Sequence, residues 1–148
     1  MTQKLIYQHK QFAYIIFVLL GWIASFVILA LVLLGPNVPI ILFAISLIVI
    51  GFIFHGLTIK VSDKDISWGF GPGVLGKKIK LSDIEQVKAV TNSFRHGIGI
   101  RITHDGWVYT VHGFSAVALD LKDGTSIRLG TNDQENLLTA LNSRLDNN

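Results

Sequence analysis

Three histidines, His96, His104 and His112, recur every eight residues. On paired antiparallel strands such residues can approach one another, and neutral imidazole binds metal ions. A zinc site needs three or four converging ligands held by further hydrogen bonds, and Asp105 is the only acid among them. The three are therefore read as solvent-facing hairpin residues, and no metal is expected. Gly71-Pro72-Gly73-Val74-Leu75-Gly76 is a literal G-x-G-x-x-G. A dinucleotide site needs that pattern to open a helix, so that helical N–H groups meet the pyrophosphate. Here Lys77-Lys78-Ile79-Lys80-Leu81 follows, which is a strand pattern, and a plain hairpin turn is expected. Gly113-Phe114-Ser115-Ala116-Val117 lacks the closing glycine of a nucleophile elbow. With no cysteine in the chain, thiolate chemistry and disulfides are excluded. Neither an enzyme nor a cofactor is expected.

The basic residues are the stronger candidates. Lys77, Lys78, Lys80, Lys88, Arg95 and Arg101 crowd a stretch whose only acids are Asp83 and Glu85. Sharing one face, Lys77, Lys78, Lys80, Arg95 and Arg101 would rest on an anionic membrane surface, each close basic group adding about 1 kcal/mol. Scattered by strand alternation, they would be ordinary solvated residues. Nucleic acid is not the expected partner. The net charge of +3 comes largely from Lys4 and Lys10, and the 11 remaining Lys and Arg face 10 Asp and Glu.

The elements that must position these residues begin with a gap. Residues 11–59 contain no Asp, Glu, Lys or Arg. Residues 12–34 are long enough as a helix to cross a ~30 Å hydrocarbon core. Gly35-Pro36-Asn37-Val38-Pro39 then turns the chain, and residues 40–56 form a second, shorter apolar run. The first run exceeds the apolar region of a signal peptide, so a transmembrane helical hairpin is expected in the lipid bilayer. Lys4 and Lys10 precede it and Lys60, Lys64 and Lys77 follow it, while the loop carries no charge. The positive-inside rule then places both termini in the cytoplasm, with residues 1–11 as a tail and 35–39 as an external turn of a plasma-membrane protein. Tyr7 and Tyr14 are expected as interfacial anchors, and Trp22 as a packing or lipid contact. Gly21 and Ser25 have the spacing that lets helices approach closely, and are expected to pack the two spans together rather than to join two chains.

From Leu57 the apolar period becomes two. Leu57, Ile59 and Val61, then Ile66, Trp68 and Phe70, then Ile98, Ile100 and Ile102, then Trp107, Tyr109 and Val111, then Val117, Leu119 and Leu121, then Ile127 and Leu129, all alternate with other residues. That is the mark of strands with one buried face. Asp63-Lys64, Asp105-Gly106 and Asp123-Gly124 supply turns. Ile79 and Leu81 fit another strand, and Ile84, Val87 and Val90 fit either a strand or a loose helical turn. Thr131 and Gln134 fit a capping box, and Leu137, Leu138, Leu141 and Leu145 fall on one helical face.

A helical hairpin, about seven antiparallel strands over residues 57–148 and one C-terminal helix resemble the bacterial pleckstrin-homology (PH)-like domain membrane proteins. The stretches Gly97-Ile98-Gly99-Ile100-Arg101 and Gly106-Trp107-Val108-Tyr109 carry the resemblance. So do Val117 to Leu121, Lys122-Asp123-Gly124 and Ile127-Arg128-Leu129-Gly130-Thr131. The resemblance implies an α+β PH-like domain and leaves its function open. Phosphoinositide-binding PH domains of eukaryotes use a basic first hairpin. Here Ser62-Asp63-Lys64-Asp65 sets two acids beside the lysine. The expected function is a membrane-anchored, non-enzymatic interaction or scaffold module that binds a protein partner or further copies of itself. The alternative is docking on anionic lipid of the inner membrane surface through a basic face. Phe94 and Phe114 fall at loop positions, as surface anchors or core residues.

Overall fold

The computed structural model describes residues 4–93, 95 and 97–146. Before the apolar stretch the chain forms a strand, β1 (Leu5–Phe12), and two helices follow, α1 (Tyr14–Leu34) and α2 (Val38–Ile53). Eight strands come next: β2 (Gly56–Ser62), β3 (Asp65–Phe70), β4 (Leu75–Lys80), β5 (Ile84–Thr91), β6 (Gly99–Thr103), β7 (Gly106–Thr110), β8 (Ser115–Leu121) and β9 (Ser126–Gly130). Helix α3 (Gln134–Leu145) ends the fold.

Helix α1 is 21 residues long, about 31 Å, and is long and apolar enough to cross a membrane. Helix α2 is equally apolar but has 16 residues, about 24 Å. It starts two residues earlier than its composition suggests. The Asn37 side chain accepts the Ile40 N–H at 3.2 Å, and Pro39 sits in the first turn, where its missing N–H costs nothing. The two helices meet where Leu20 and Phe17 of α1 approach Gly51 of α2. Gly21 and Ser25, expected at that contact, are exposed instead. Ser25 turns its hydroxyl back to the Trp22 carbonyl at 2.6 Å, and Trp22 stacks edge-on with Phe26.

Two sheets enclose the core. The first has the order β1-β2-β3-β4 and the second β5-β8-β9-β7-β6. Leu57, Ile59, Ile66 and Phe70 from the first meet Leu119, Ile127 and Leu129 from the second, all at 1% exposure or less. Leu137 and Leu141 of α3 close the cluster, with Leu138 and Leu145 at its margin. Among the described residues the result is an α+β fold with eight strands after the helices rather than about seven, and β1 before them, and it is not wholly antiparallel.

Strand β9 lies between β8 and β7 and runs parallel to β7. Gly106 permits this. It adopts φ 138°, and any β-carbon there would strike the Ser126 carbonyl. Residues 84–91 form a strand although Ile84 and Val87 are three apart. A bulge between Ile84 and Gln86 brings both to the face that opposes Leu121 and Leu119.

The expectation of a tail over residues 1–11 is corrected by β1 from Leu5 onward, residues 1–3 lying outside the described residues. The strand pairs along β2 from Leu5↔Ser62 to Phe12↔Gly56. Ala13 then donates its N–H to the His55 carbonyl at 3.0 Å. The helical pair thus continues directly into a strand pair. Tyr7, expected as an interfacial anchor, donates instead to Asp133 at 2.9 Å. His9 meets Asn132 at 2.6 Å, so the first strand is fastened to the start of α3.

The start of α3 also differs from the expected capping box. The Thr131 hydroxyl accepts the Asp133 N–H at 3.0 Å. Gln134 reaches away from the helix and donates to the carbonyls of Val90 and Ala116, at 3.1 and 2.6 Å.

Candidate functional site

The sheet domain has two ends. At the distal end lie the Asp63-Lys64, His104-Asp105 and Lys122-Asp123 turns. At the helical end β1 and β2 pass into α1 and α2, and three connections gather there. The first is the β3–β4 turn. Gly71 donates its N–H to the Gly56 carbonyl at 2.9 Å and lies so close to Ile53 that a β-carbon would strike the Ile53 carbonyl. The second is the entry to β6, where Ile98 and, within the strand, Ile100 join Ile16, Leu19, Ile23 and Phe54 around an apolar recess of about 540 Å³. The third is the β7–β8 loop. Gln11 donates to the His112 carbonyl at 3.1 Å, and the His112 ring lies 6.0 Å from Tyr14.

Each connection presents an apolar side chain to the outside: Val74 at 64% exposure, Ile98 at 38% and Phe114 at 55%. Leu75 and Phe12 are exposed at the same end. A folded domain does not ordinarily cluster such side chains on its surface without something to cover them. Phe114 is thereby an exposed residue and not a core one. Phe94, its counterpart, lies outside the described residues.

The basic candidates fall on three surfaces. In the first sheet, strand alternation sets Lys78 and Lys80 on the outer face and Lys77 on the other, in a recess with Asp83 and Asp123. Two lysines that sequence reasoning left out join Lys78 and Lys80. Lys60 lies opposite Ser67, which lies opposite Lys78, and Lys10 lies opposite Thr58. The acid on this face, Asp65, is paired with Lys78 at 2.8 Å. The alternation in β2 already marked Lys60 as outward. Lys10 carried no such sign, because its strand was not legible.

Arg101 belongs to the second sheet. It shares a cross-strand row with Lys88 and Arg128 and donates to the Arg95 carbonyl at 2.7 Å. Arg95 and Arg101 are thus joined to each other and stand apart from the lysine face. Lys88 pairs with Asp120 at 2.7 Å, and this bond chiefly holds the Asp120 carboxyl below its usual range.

Of the three histidines, His104 is fully exposed at a turn. His112 is not a solvated residue but packs between Gln11 and Tyr14. His96 lies outside the described residues. Among the described residues no three His, Cys, Asp or Glu side chains converge on a metal-sized site. The G-x-G-x-x-G segment is a hairpin turn, as expected, between β3 and β4. No family model, curated protein or solved structure matches the chain.

Proposed function

We propose that this protein is a non-enzymatic, membrane-anchored module whose sheet domain docks end-on against the anionic inner surface of the membrane. The observation that carries this reading is the ring of exposed apolar side chains, Val74, Leu75, Ile98 and Phe114, around the exit of the two helices. With α1 and α2 as a transmembrane hairpin, these side chains reach the headgroup layer. The lysine face of the first sheet, Lys10, Lys60, Lys78 and Lys80, then stands beside anionic lipid. Fastening of β1 to α3 supports both termini on one side of the bilayer, and the positive-inside rule supports the cytoplasm as that side. The two sheets and C-terminal helix are compatible with a PH-like ancestry, and the parallel β7–β9 pair stands outside that pattern. Tethered by two spans, the domain gains orientation from the lipid contact rather than recruitment.

The cysteine-free chain allows a direct test. Single cysteines at Val74, Phe114 and His104 in the full chain, reconstituted in vesicles with anionic lipid, take an environment-sensitive label. Labels at positions 74 and 114 are expected in lipid and that at 104 in water. Water exposure at all three would refute docking.

A second reading has its own observation. At the distal end Ile102 and Trp107 are directly opposed, at 69% and 38% exposure, on the edge hairpin β6–β7. A strand edge with an apolar face invites a protein partner or a second copy of the chain. Association that persists at high salt and is lost in Ile102→Lys would support this surface.

A further inference from the structure

On the outer face of the first sheet lies a recess of about 260 Å³, walled by residues of β2, β3 and the β3–β4 turn. Lys60 and Ser67 are directly opposed across β2 and β3, and Thr58 is opposed to Gly69. Alternation projects Thr58, Lys60 and Ser67 into the same space. The turn folds back over them: an atom at the β-carbon position of Gly69 would meet the Gly73 Cα at 3.2 Å. One ammonium and two hydroxyls therefore gather beneath a glycine overhang. Among the described residues none of these three side chains has a hydrogen-bond or ion-pair partner. The nearby Asp65 is engaged by Lys78 at 2.8 Å.

The turn itself does not supply the donors. Gly71 N–H is taken by Gly56 and Gly73 N–H by the Phe70 carbonyl, at 2.9 and 2.8 Å, and Pro72 has none. A ligand here is held by side chains, unlike a nucleotide in a glycine-rich loop. A cation with two hydroxyl donors suits an anionic oxygen cluster such as a phosphate group, through charge-assisted hydrogen bonds. Location narrows the source. Gly71, one wall of the recess, stands against the carbonyl of Ile53 at the end of α2. With α2 in the membrane, the recess opens at the level of the lipid phosphates.

We propose that the Thr58–Lys60–Ser67 recess binds the phosphate group of one anionic membrane lipid per chain. This rests on the docking reading above, which supplies the lipid surface, and gives that surface a specific site.

The test titrates the full chain in micelles with phosphatidylglycerol and reads bound lipid by native mass spectrometry. One lipid is expected to bind in preference to others. Lys60→Gln and Ser67→Ala are each expected to weaken it about tenfold, as loss of a charge-assisted bond implies. Lys60→Arg should retain it, and Lys122→Gln, exposed at the distal end, should stay within about twofold, as for an exposed charge. Equal losses in Lys60→Gln and Lys122→Gln would overturn the site in favour of a diffuse field. Displacement of the lipid by equal concentrations of inorganic phosphate or glycerol 3-phosphate would overturn the lipid assignment.

A position-74 label in the same variants separates this proposal from docking. A lipid-buried label with lipid binding unaffected by Lys60→Gln overturns the recess alone. A water-exposed label with one-site binding intact overturns docking and supports the recess.

Discussion

Tyr7 ties the first strand to the last helix through one hydrogen bond to Asp133. Burial, and then that bonded carboxylate, push the phenol above its ordinary range. A raised value in the folded state means that the neutral phenol is the form the fold favours. Its contribution is complete below pH about 10, the ordinary tyrosine value, and is lost as the pH rises beyond it toward the folded value. Tyr7→Phe is expected to cost about 1 kcal/mol at neutral pH and to flatten the alkaline fall in stability, read by denaturation at pH 8 to 11. Asp120 has the opposite sign. Lys88 holds its carboxyl low, so its contribution is present above about pH 4 and is lost as the pH falls through the folded value. The pair is partly exposed, so Asp120→Asn should cost less than about 1 kcal/mol. Gly71 is constrained twice, by φ 53° and by the Ile53 carbonyl. Gly71→Ala should therefore lower the melting temperature, through a strain on the order of 1–3 kcal/mol.

At the scale of elements, α3 and β1 complete the core between the two sheets from distant parts of the sequence. Leu141 is fully buried in the common cluster, and Leu141→Ala is expected to cost about 2–5 kcal/mol. Strand β1 shields the edge of β2. A chain lacking residues 1–11 would expose that edge together with the Asn132–Asp133 start of α3, and is expected to aggregate or melt earlier than the full chain. Unchanged thermal stability would show the strand to be dispensable. The sequence hid β1 for a physical reason. Its inward residues, Tyr7, His9 and Gln11, are polar, so it lacks the apolar alternation that marks a strand. Their partners, Asp133, Asn132 and His112, stand more than a hundred positions away. The strands β2, β3, β8 and β9 were legible because each buries a continuous alternate set of apolar residues. Strand β5 was ambiguous because its bulge breaks the period on which such a reading depends.

At the scale of the whole molecule, the direct passage of the helical pair into the β1–β2 pair leaves little freedom between helices and domain. The same passage is what gathers Val74, Ile98 and Phe114 at one end. Contact with anionic lipid through lysines should weaken between low and physiological salt, while the apolar insertions should not. Label accessibility measured at both salts is expected to shift near Lys60 and to hold at position 74.

Composition alone determined the long uncharged stretch, a helix long enough to cross a membrane, a largely neutral β-rich remainder and an amphipathic last helix, because each depends on local period and length. Tertiary structure alone decided which lysines share a face, that Arg101 bonds the Arg95 carbonyl, that β9 runs parallel to β7 and that the glycine turn overhangs Thr58, Lys60 and Ser67. Those relations are set by strand register and by close backbone approach between distant segments, and neither leaves a periodic trace in the chain.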